Sequence, residues 1–441
     1  MHITTRTIRA AAVAAALLPV LAGAQLGSPN PGPGPQQDFI IRNARIVTVS
    51  GPVIERGNVI VRGGKIAAVG AGADVQGLTA YDATGLTVYP GMMDAVTNMG
   101  LSEIGQGAAP TVDVAEVGSF NPNAIAYYGI NPHSAHIGVT RVVGITHTIA
   151  APTGGIVAGQ GTLVNLAGWT AAQMSVVQKA ALVVTLPRAG GGGGRFGGFG
   201  GGGAAAADVA KQLDSLKALI ADARAYATAQ EAAARDRSIA APVPDVKLEA
   251  MLPYVRGERP VLFSADRAAE IRAAVEFATE QRLTPVILGG REALVVADLL
   301  KTKRVPVLFS HVRTLPTRED DPFDIHFAAP GQLVAAGVTL AITSGDGGAE
   351  VRDLPYMAGM AAAYGMSPED ALKSVTLWPA QILGVADRFG SIEVGKAANL
   401  VVTTGDLLEA RTDTKYLFID GRLVPLTNKQ TVLYETHRAR R

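Results

Sequence analysis

The chain has 441 residues, 39 basic against 38 acidic side chains, a formal charge of +1 and no cysteine, which excludes disulfide scaffolds, thiolate metal centres and cysteine nucleophiles. With 48% hydrophobic and 17% charged residues, it can bury a large core, and global disorder is excluded. The balanced charge and the lack of a long basic block leave no electrostatic footprint for nucleic acid, so the expected partner is a small molecule.

At the N-terminus, Arg6 and Arg9 precede an apolar run from Ala10 to Leu21, and Ala22-Gly23-Ala24 supplies the small residues of an export cleavage site. The expectation is a signal peptide over 1–24 and a periplasmic or secreted protein. The run is too short for a comfortable membrane span, and no later stretch of about 20 apolar residues replaces it. Gly27 to Pro35 is rich in Pro and Gly, so 25–37 reads as a flexible leader.

Ordered structure is expected from Asp38. Short β-rich runs at 39–41, 45–49, 58–61 and 65–69, divided by Gly and Pro, suit a small antiparallel sheet. A second β cluster lies far along the chain at 399–403, 414–419 and 420–424, where Asp420-Gly421 has the chemistry of a tight hairpin. Between the clusters, apolar runs alternate with helical stretches. Val261 to Ser264 precedes Ala268 to Arg282, Val286 to Leu288 precedes Arg291 to Lys303, and Val305 to Phe309 and Val338 to Thr343 follow. Thr87 to Asp94, Ile145 to Ala150 and Ala181 to Leu186 are earlier strand-like runs. This rhythm is the βα signature of a parallel α/β fold. Seven strands can be placed; a (β/α)8 barrel needs an eighth, and a doubly wound open sheet is the alternative. Gly154-Gly155 and Gly159-Gln160-Gly161 read as a ligand-approach loop or as hairpin turns.

Eleven of the fourteen residues from Gly190 to Gly203 are glycine, with neither a phosphate-loop Lys nor a strand–Gly–helix context, so a surface loop is expected. Ala204 to Ala234 reads as a long outer helix.

Val88-Tyr89-Pro90-Gly91-Met92-Met93-Asp94-Ala95 resembles the first barrel strand of the amidohydrolase superfamily. Gly390-Ser391-Ile392-Glu393-Val394-Gly395-Lys396-Ala397-Ala398-Asn399-Leu400-Val401 resembles that superfamily's return into its small sheet. Ser367 to Leu372, Thr376, Pro379-Ala380 and Ile382-Leu383-Gly384 are similar to its last helices, in the imidazolonepropionase-related branch. The resemblance implies a composite β-sandwich of 38–86 and 391–428 around a (β/α)8 TIM-like barrel over 87–390, with 190–203 inserted. It also implies hydrolysis of carbon–nitrogen bonds other than peptide bonds, through a water activated on zinc or another divalent metal.

Several His and Asp ligands should then converge at the strand ends. The corresponding positions here hold Val96, Asn98, Ser264 and Gly289, and Asp346 alone keeps its match, as the expected catalytic carboxylate. Asn98, His147, Ser264, Asp266 and His311 are the expected substrate-binding residues. His147 falls within the second strand and His311 just past a later one; Asp266 is equally explained as the N-cap of the next helix. A depleted metal site is expected. A catalytically inactive binding or partner subunit, working beside an intact amidohydrolase homologue or as a homo-oligomer, is the alternative. Mass spectrometry of the protein from its native compartment is expected to find the N-terminus close to Gln25; an uncleaved cytoplasmic chain overturns the export reading.

Overall fold

The computed structural model describes residue 30 and residues 32–104, 111–188, 206–345, 347–438 and 440. The signal-like segment, the insert 190–203 and Asp346 lie outside the described residues. Among the described residues no helix is long and apolar enough to cross a membrane.

Five strands open the chain: β1 (Phe39–Ile46), β2 (Ile54–Arg62), β3 (Lys65–Gly70), β4 (Thr79–Asp82) and β5 (Thr87–Pro90). Eight follow: β6 (Met92–Thr97), β7 (Ile145–Ala150), β8 (Val157–Asn165), β9 (Ser175–Val184), β10 (Val261–Ala265), β11 (Pro285–Gly289), β12 (Val307–Phe309) and β13 (Leu340–Ile342). The last three are β14 (Leu400–Thr403), β15 (Thr414–Ile419) and β16 (Arg422–Leu423).

The two terminal clusters form one sheet in the order β16-β15-β14-β5-β1-β2-β3, with β4 also pairing β1. β5 joins them, parallel to β1 on one side and antiparallel to β14 on the other. Residues alternate between faces along a strand, and Phe39, Ile41, Val59, Val61, Val88, Leu400, Val402 and Phe418 share one core. The Phe39 and Phe418 rings stack at 4.3 Å. Asp420 and Gly421, with φ of 50° and 68°, make the tight turn between β15 and β16.

The other eight strands run β6 to β13 in order. Leu262, Val286, Leu308 and Ala341 join Met93, Ile149 and Val183 in the inner core, while Val261, Phe263, Ile287, Val307 and Leu340 meet the helices outside. Helix Ala268–Glu280 shows why: Ile271, Ala274, Val275 and Ala278 recur at helical spacing and are buried. A barrel with helices around it and a separate β unit is thus the architecture.

Two features differ from the pattern read in the sequence. Thr87 to Asp94 is divided at Gly91, so β5 enters the first sheet and β6 the barrel. A Cβ at Gly91 would lie 2.2 Å from Thr146 Oγ1, which makes glycine a steric requirement there. The strand missing from the sequence reading is β8, which runs antiparallel to both β7 and β9. Its glycines serve close approach rather than turns: a Cβ at Gly159 would meet the Ala124 carbonyl at 2.7 Å. Between them, buried Gln160 donates to the Pro122 carbonyl at 2.8 Å and accepts from the Tyr254 hydroxyl at 2.9 Å.

β13 and β6 share no backbone ladder, and a side chain bridges the gap. Fully buried Asp94 on β6 accepts from Ser344 N at 3.1 and 3.2 Å and from the Ser344 and Thr343 hydroxyls. Val96 N–H donates to Thr343 Oγ1 at 3.2 Å. Burial pushes the Asp94 carboxyl up to about 6, although these hydrogen bonds pull the other way.

One step along the β6–β7 ladder from Asp94, His147 on β7 pairs with Met93 and has the inward parity of Ile149. Asn399 Nδ2 donates to its Nε2 at 3.0 Å, and Nδ1 lies 2.9 Å from Thr146 Oγ1, an arrangement for a neutral ring. The Phe389 ring packs edge-on at 4.3 Å. Burial, helped by the Arg388 charge, pushes His147 down to about 3.

Asp94 and His147 act oppositely on stability. A raised carboxyl favours the folded state below its unfolded pKa, near 4, and loses that benefit as pH rises through about 6. A depressed His favours it above about 6.5 and loses that benefit as pH falls towards about 3. Between pH 6 and 4 the stability of a His147→Gln variant, relative to the parent chain, is therefore expected to rise by up to about 1.4 kcal/mol per pH unit lost. Urea unfolding across that range measures it, and a pH-independent difference contradicts the neutral, buried state of His147.

Candidate active site at the barrel mouth

β10, β11 and β12 are neighbours, and each hands the chain to a polar residue at its C-terminal end: Asp266, Arg291 and His311. Asp266 Oδ1 lies 2.6 Å from His311 Nε2. The Arg291 backbone N–H points to the same oxygen at 3.4 Å, and Arg291 Nη2 is 3.5 Å from His311 Nδ1.

Burial pushes the Asp266 carboxyl up, but the His311 hydrogen bond and the charges of His311 and Arg291 outweigh it and hold the group below its ordinary range. An ionised carboxylate only accepts, so the shared proton belongs to His311 Nε2, and in the neutral ring the lone pair is on Nδ1. The pair therefore presents an oriented base at the face where barrels of this type place their chemistry.

Asp266 is available because other residues cap the helix after it. Glu270 accepts from the backbone N–H groups of Asp266 at 3.1 Å and Arg267 at 3.3 Å, and Glu292 accepts from Ala268 N at 2.9 Å. The N-cap role open to Asp266 in the sequence thus falls to Arg267 with Glu270. Gly289 makes the remaining room: its φ is 104°, and a Cβ there would lie 2.5 Å from Asp266 Oδ1.

Of the residues singled out in the sequence, Asp266 and His311 are brought together. Ser264 lies two residues before Asp266 on β10, exposed and with the inward parity of Leu262. Asn98 sits across the barrel at the end of β6, where its Oδ1 accepts from Gly348 N at 2.7 Å. His147, expected within reach of the pocket, is instead enclosed at the base, because its place early in β7 sets it beside Asn399 and Phe389. Asp346 lies outside the described residues.

Sequence reasoning missed Arg291, His326 and the bridging part of Asp94. Gly289-Gly290 directly after an apolar run was a signal for Arg291. His326 carried none, being buried inside helix Ile325–Ala335. At the positions where metal ligands were expected, Val96 is buried in the inner apolar cluster and Gly289 has no side chain. Among the described residues, no group of three or more His, Asp or Glu side chains could hold a metal ion.

A β/α barrel joined to a β unit from both ends, with polar groups at its C-terminal strand ends, is the class of fold the chain adopts. Known proteins narrow this. The sequence pattern described as the Amidohydrolase family matches residues 266–424. An amidohydrolase from Thermotoga maritima is 26% identical, with a TM-score of 0.77, over 88% of this chain and 99% of that one. An imidazolonepropionase from Erwinia tasmaniensis is 33% identical over 132 residues, 29% of this chain and 27% of that protein. An allantoinase from Enterococcus faecalis is 45% identical over 60 residues, 14% of this chain and 12% of that protein. The alignment to such curated relatives thus spans between about an eighth and a quarter of their length. The chain belongs to the amidohydrolase superfamily.

The Gly289 geometry is directly testable. Gly289→Ala combines a left-handed backbone with a clash on Asp266 and is expected to cost about 2 kcal/mol of stability. Gly63→Ala, where φ is 55° and a Cβ meets nothing within 4 Å, should cost about 1 kcal/mol. Equal losses in urea unfolding would mean that Asp266 does not need the space.

Proposed function

We propose that this chain is an exported member of the superfamily that hydrolyses carbon–nitrogen bonds, other than peptide bonds, in a small molecule bound at the barrel mouth, with its metal site depleted. The observation that carries this reading is the 2.6 Å Asp266–His311 pair at the C-terminal strand ends. In it His311 Nδ1 takes a proton from an attacking water, and Asp266 holds the ring and stabilises the imidazolium. Arg291 stands beside that nitrogen, its Nη2 3.5 Å away, and sets a positive charge next to the base.

The residues at the mouth do not fit a resident zinc. Such a site needs about three protein donors besides its water. Val96 and Gly289 supply none, and Asn98 Oδ1 is committed to Gly348. The same replacements favour a second reading, a non-catalytic binding or partner subunit that keeps the pocket without turnover.

A panel of ureas, cyclic amides and N-acylated amines, assayed with and without a chelator, tests both readings. Turnover is expected to resist chelation, and His311→Asn is expected to lower kcat/KM by about 100-fold or more. Elemental analysis of untagged protein is expected to find well under one zinc per chain. Activity lost to a chelator, with about one zinc per chain, contradicts the depleted site. No turnover on any substrate favours the binding subunit.

A further inference from the structure

Close to the Asp266–His311 pair lies an imidazole that nothing described so far uses. His326 is 4% exposed, and neither of its ring nitrogens has a hydrogen-bond partner among the described residues. Its ring centre is 6.3 Å from that of His311. Arg291 repeats the pattern. Among the described residues its Nε is buried without a partner, and its Nη atoms reach only Thr317 Oγ1 and His311 Nδ1, both at 3.5 Å. Buried donors are rarely left unpaired, because losing water without a replacement is costly. Two orphaned nitrogen groups in one cluster mark a place where an acceptor is missing.

The charges indicate which acceptor. Four groups act on His326 besides its burial: the positive charges of His311 and Arg291 push its pKa down, while Asp321 and Asp266 push it up. Burial comes first, and the net direction is downward. The Asp266 carboxylate is already engaged by His311 and by the Arg291 backbone. A cation would face a guanidinium there, whereas an anion would pair with it and accept from the imidazole as well. A guanidinium fork matches a planar two-oxygen group better than a single atom.

We infer that Arg291 and His326, beside His311, form an anion-binding subsite at the barrel mouth that takes a carboxylate carried by the bound small molecule. This inference rests on the proposed ligand site and narrows its substrate class to compounds with a carboxylate beside the C–N bond. Arg291 binds it through the guanidinium edge, and His326 donates from one ring nitrogen. His311 borders the subsite with Nδ1, so the bound anion holds the ligand next to the base. The anion also removes the electrostatic penalty on protonating His326.

The test uses the mature full-length chain with isotope-labelled histidine, followed by NMR during titration with sodium acetate, acetamide or inorganic phosphate at constant ionic strength. Acetate is expected to shift the His326 and His311 ring signals saturably and to raise the His326 pKa; acetamide of the same shape is expected to do neither. Arg291→Gln is expected to weaken acetate binding at least tenfold, with partial recovery in Arg291→Lys. His326→Gln gives a second arm should Arg291→Gln misfold, and it too should weaken acetate. Equal shifts from acetamide, or unchanged acetate affinity in the folded variants, overturn the subsite. Tighter binding of phosphate than of acetate overturns its assignment to a carboxylate. Acetate binding as described without turnover of any panel compound leaves the subsite standing and removes the hydrolase reading. Turnover of neutral compounds with no acetate response does the reverse.

Discussion

A carboxylate hidden between two strands holds the barrel together. β6 and β13 meet without a backbone ladder, and Asp94 supplies from one side chain the acceptors that a ladder would have provided. Those bonds fix where the segment after β13 leaves the barrel, and Asn98 fixes it again four residues later through Gly348. The mouth therefore has a rigid wall on the β6 side, where the resemblance expected metal chemistry. What Asp94, Thr343 and Ser344 contribute to that wall is register.

The Asp266–His311 pair stands on the opposite wall, and a small residue gives it room. Gly289 stands where a metal-binding histidine was expected, and its missing Cβ is the space that the Asp266 carboxylate fills. The glycine at 289 and the placement of the His–Asp pair are thus sterically linked. Glu270 and Glu292 complete that placement by capping the helix, which leaves Asp266 free to face His311.

Much of this was legible in the sequence, for physical reasons. The composite β unit was readable because alternating apolar residues and Asp420-Gly421 report local structure directly. Most barrel strands were readable because buried strands are continuous apolar runs. β8 was not, since Gly159 and Gly161 mark turns and tight packing alike, and only the tertiary neighbours Ala124 and Ile149 distinguish the two. In the site, Asp266 and His311 were legible as polar residues just past apolar runs. Their pairing was not, because it joins residues 45 positions apart. His147 went astray since parity puts it inside the barrel but says nothing about which end. His326 was invisible, as a buried histidine inside an apolar helix looks like any core residue.

The reversal of β8 also bears on how the chain assembles. β7, β8 and β9 form a local antiparallel meander in which Thr148 meets Val164, whereas the Asp94–Ser344 contact spans 250 positions. Loop-closure entropy grows with the logarithm of length, so the seam costs about 2.5 kcal/mol more to close than that meander. The meander can nucleate early from neighbours in sequence, while the barrel must wait for β13 and the outer sheet for β14 to β16. The last quarter of the chain thus acts as a clasp: until it arrives, neither body has its final strand, and once it does, both are completed together.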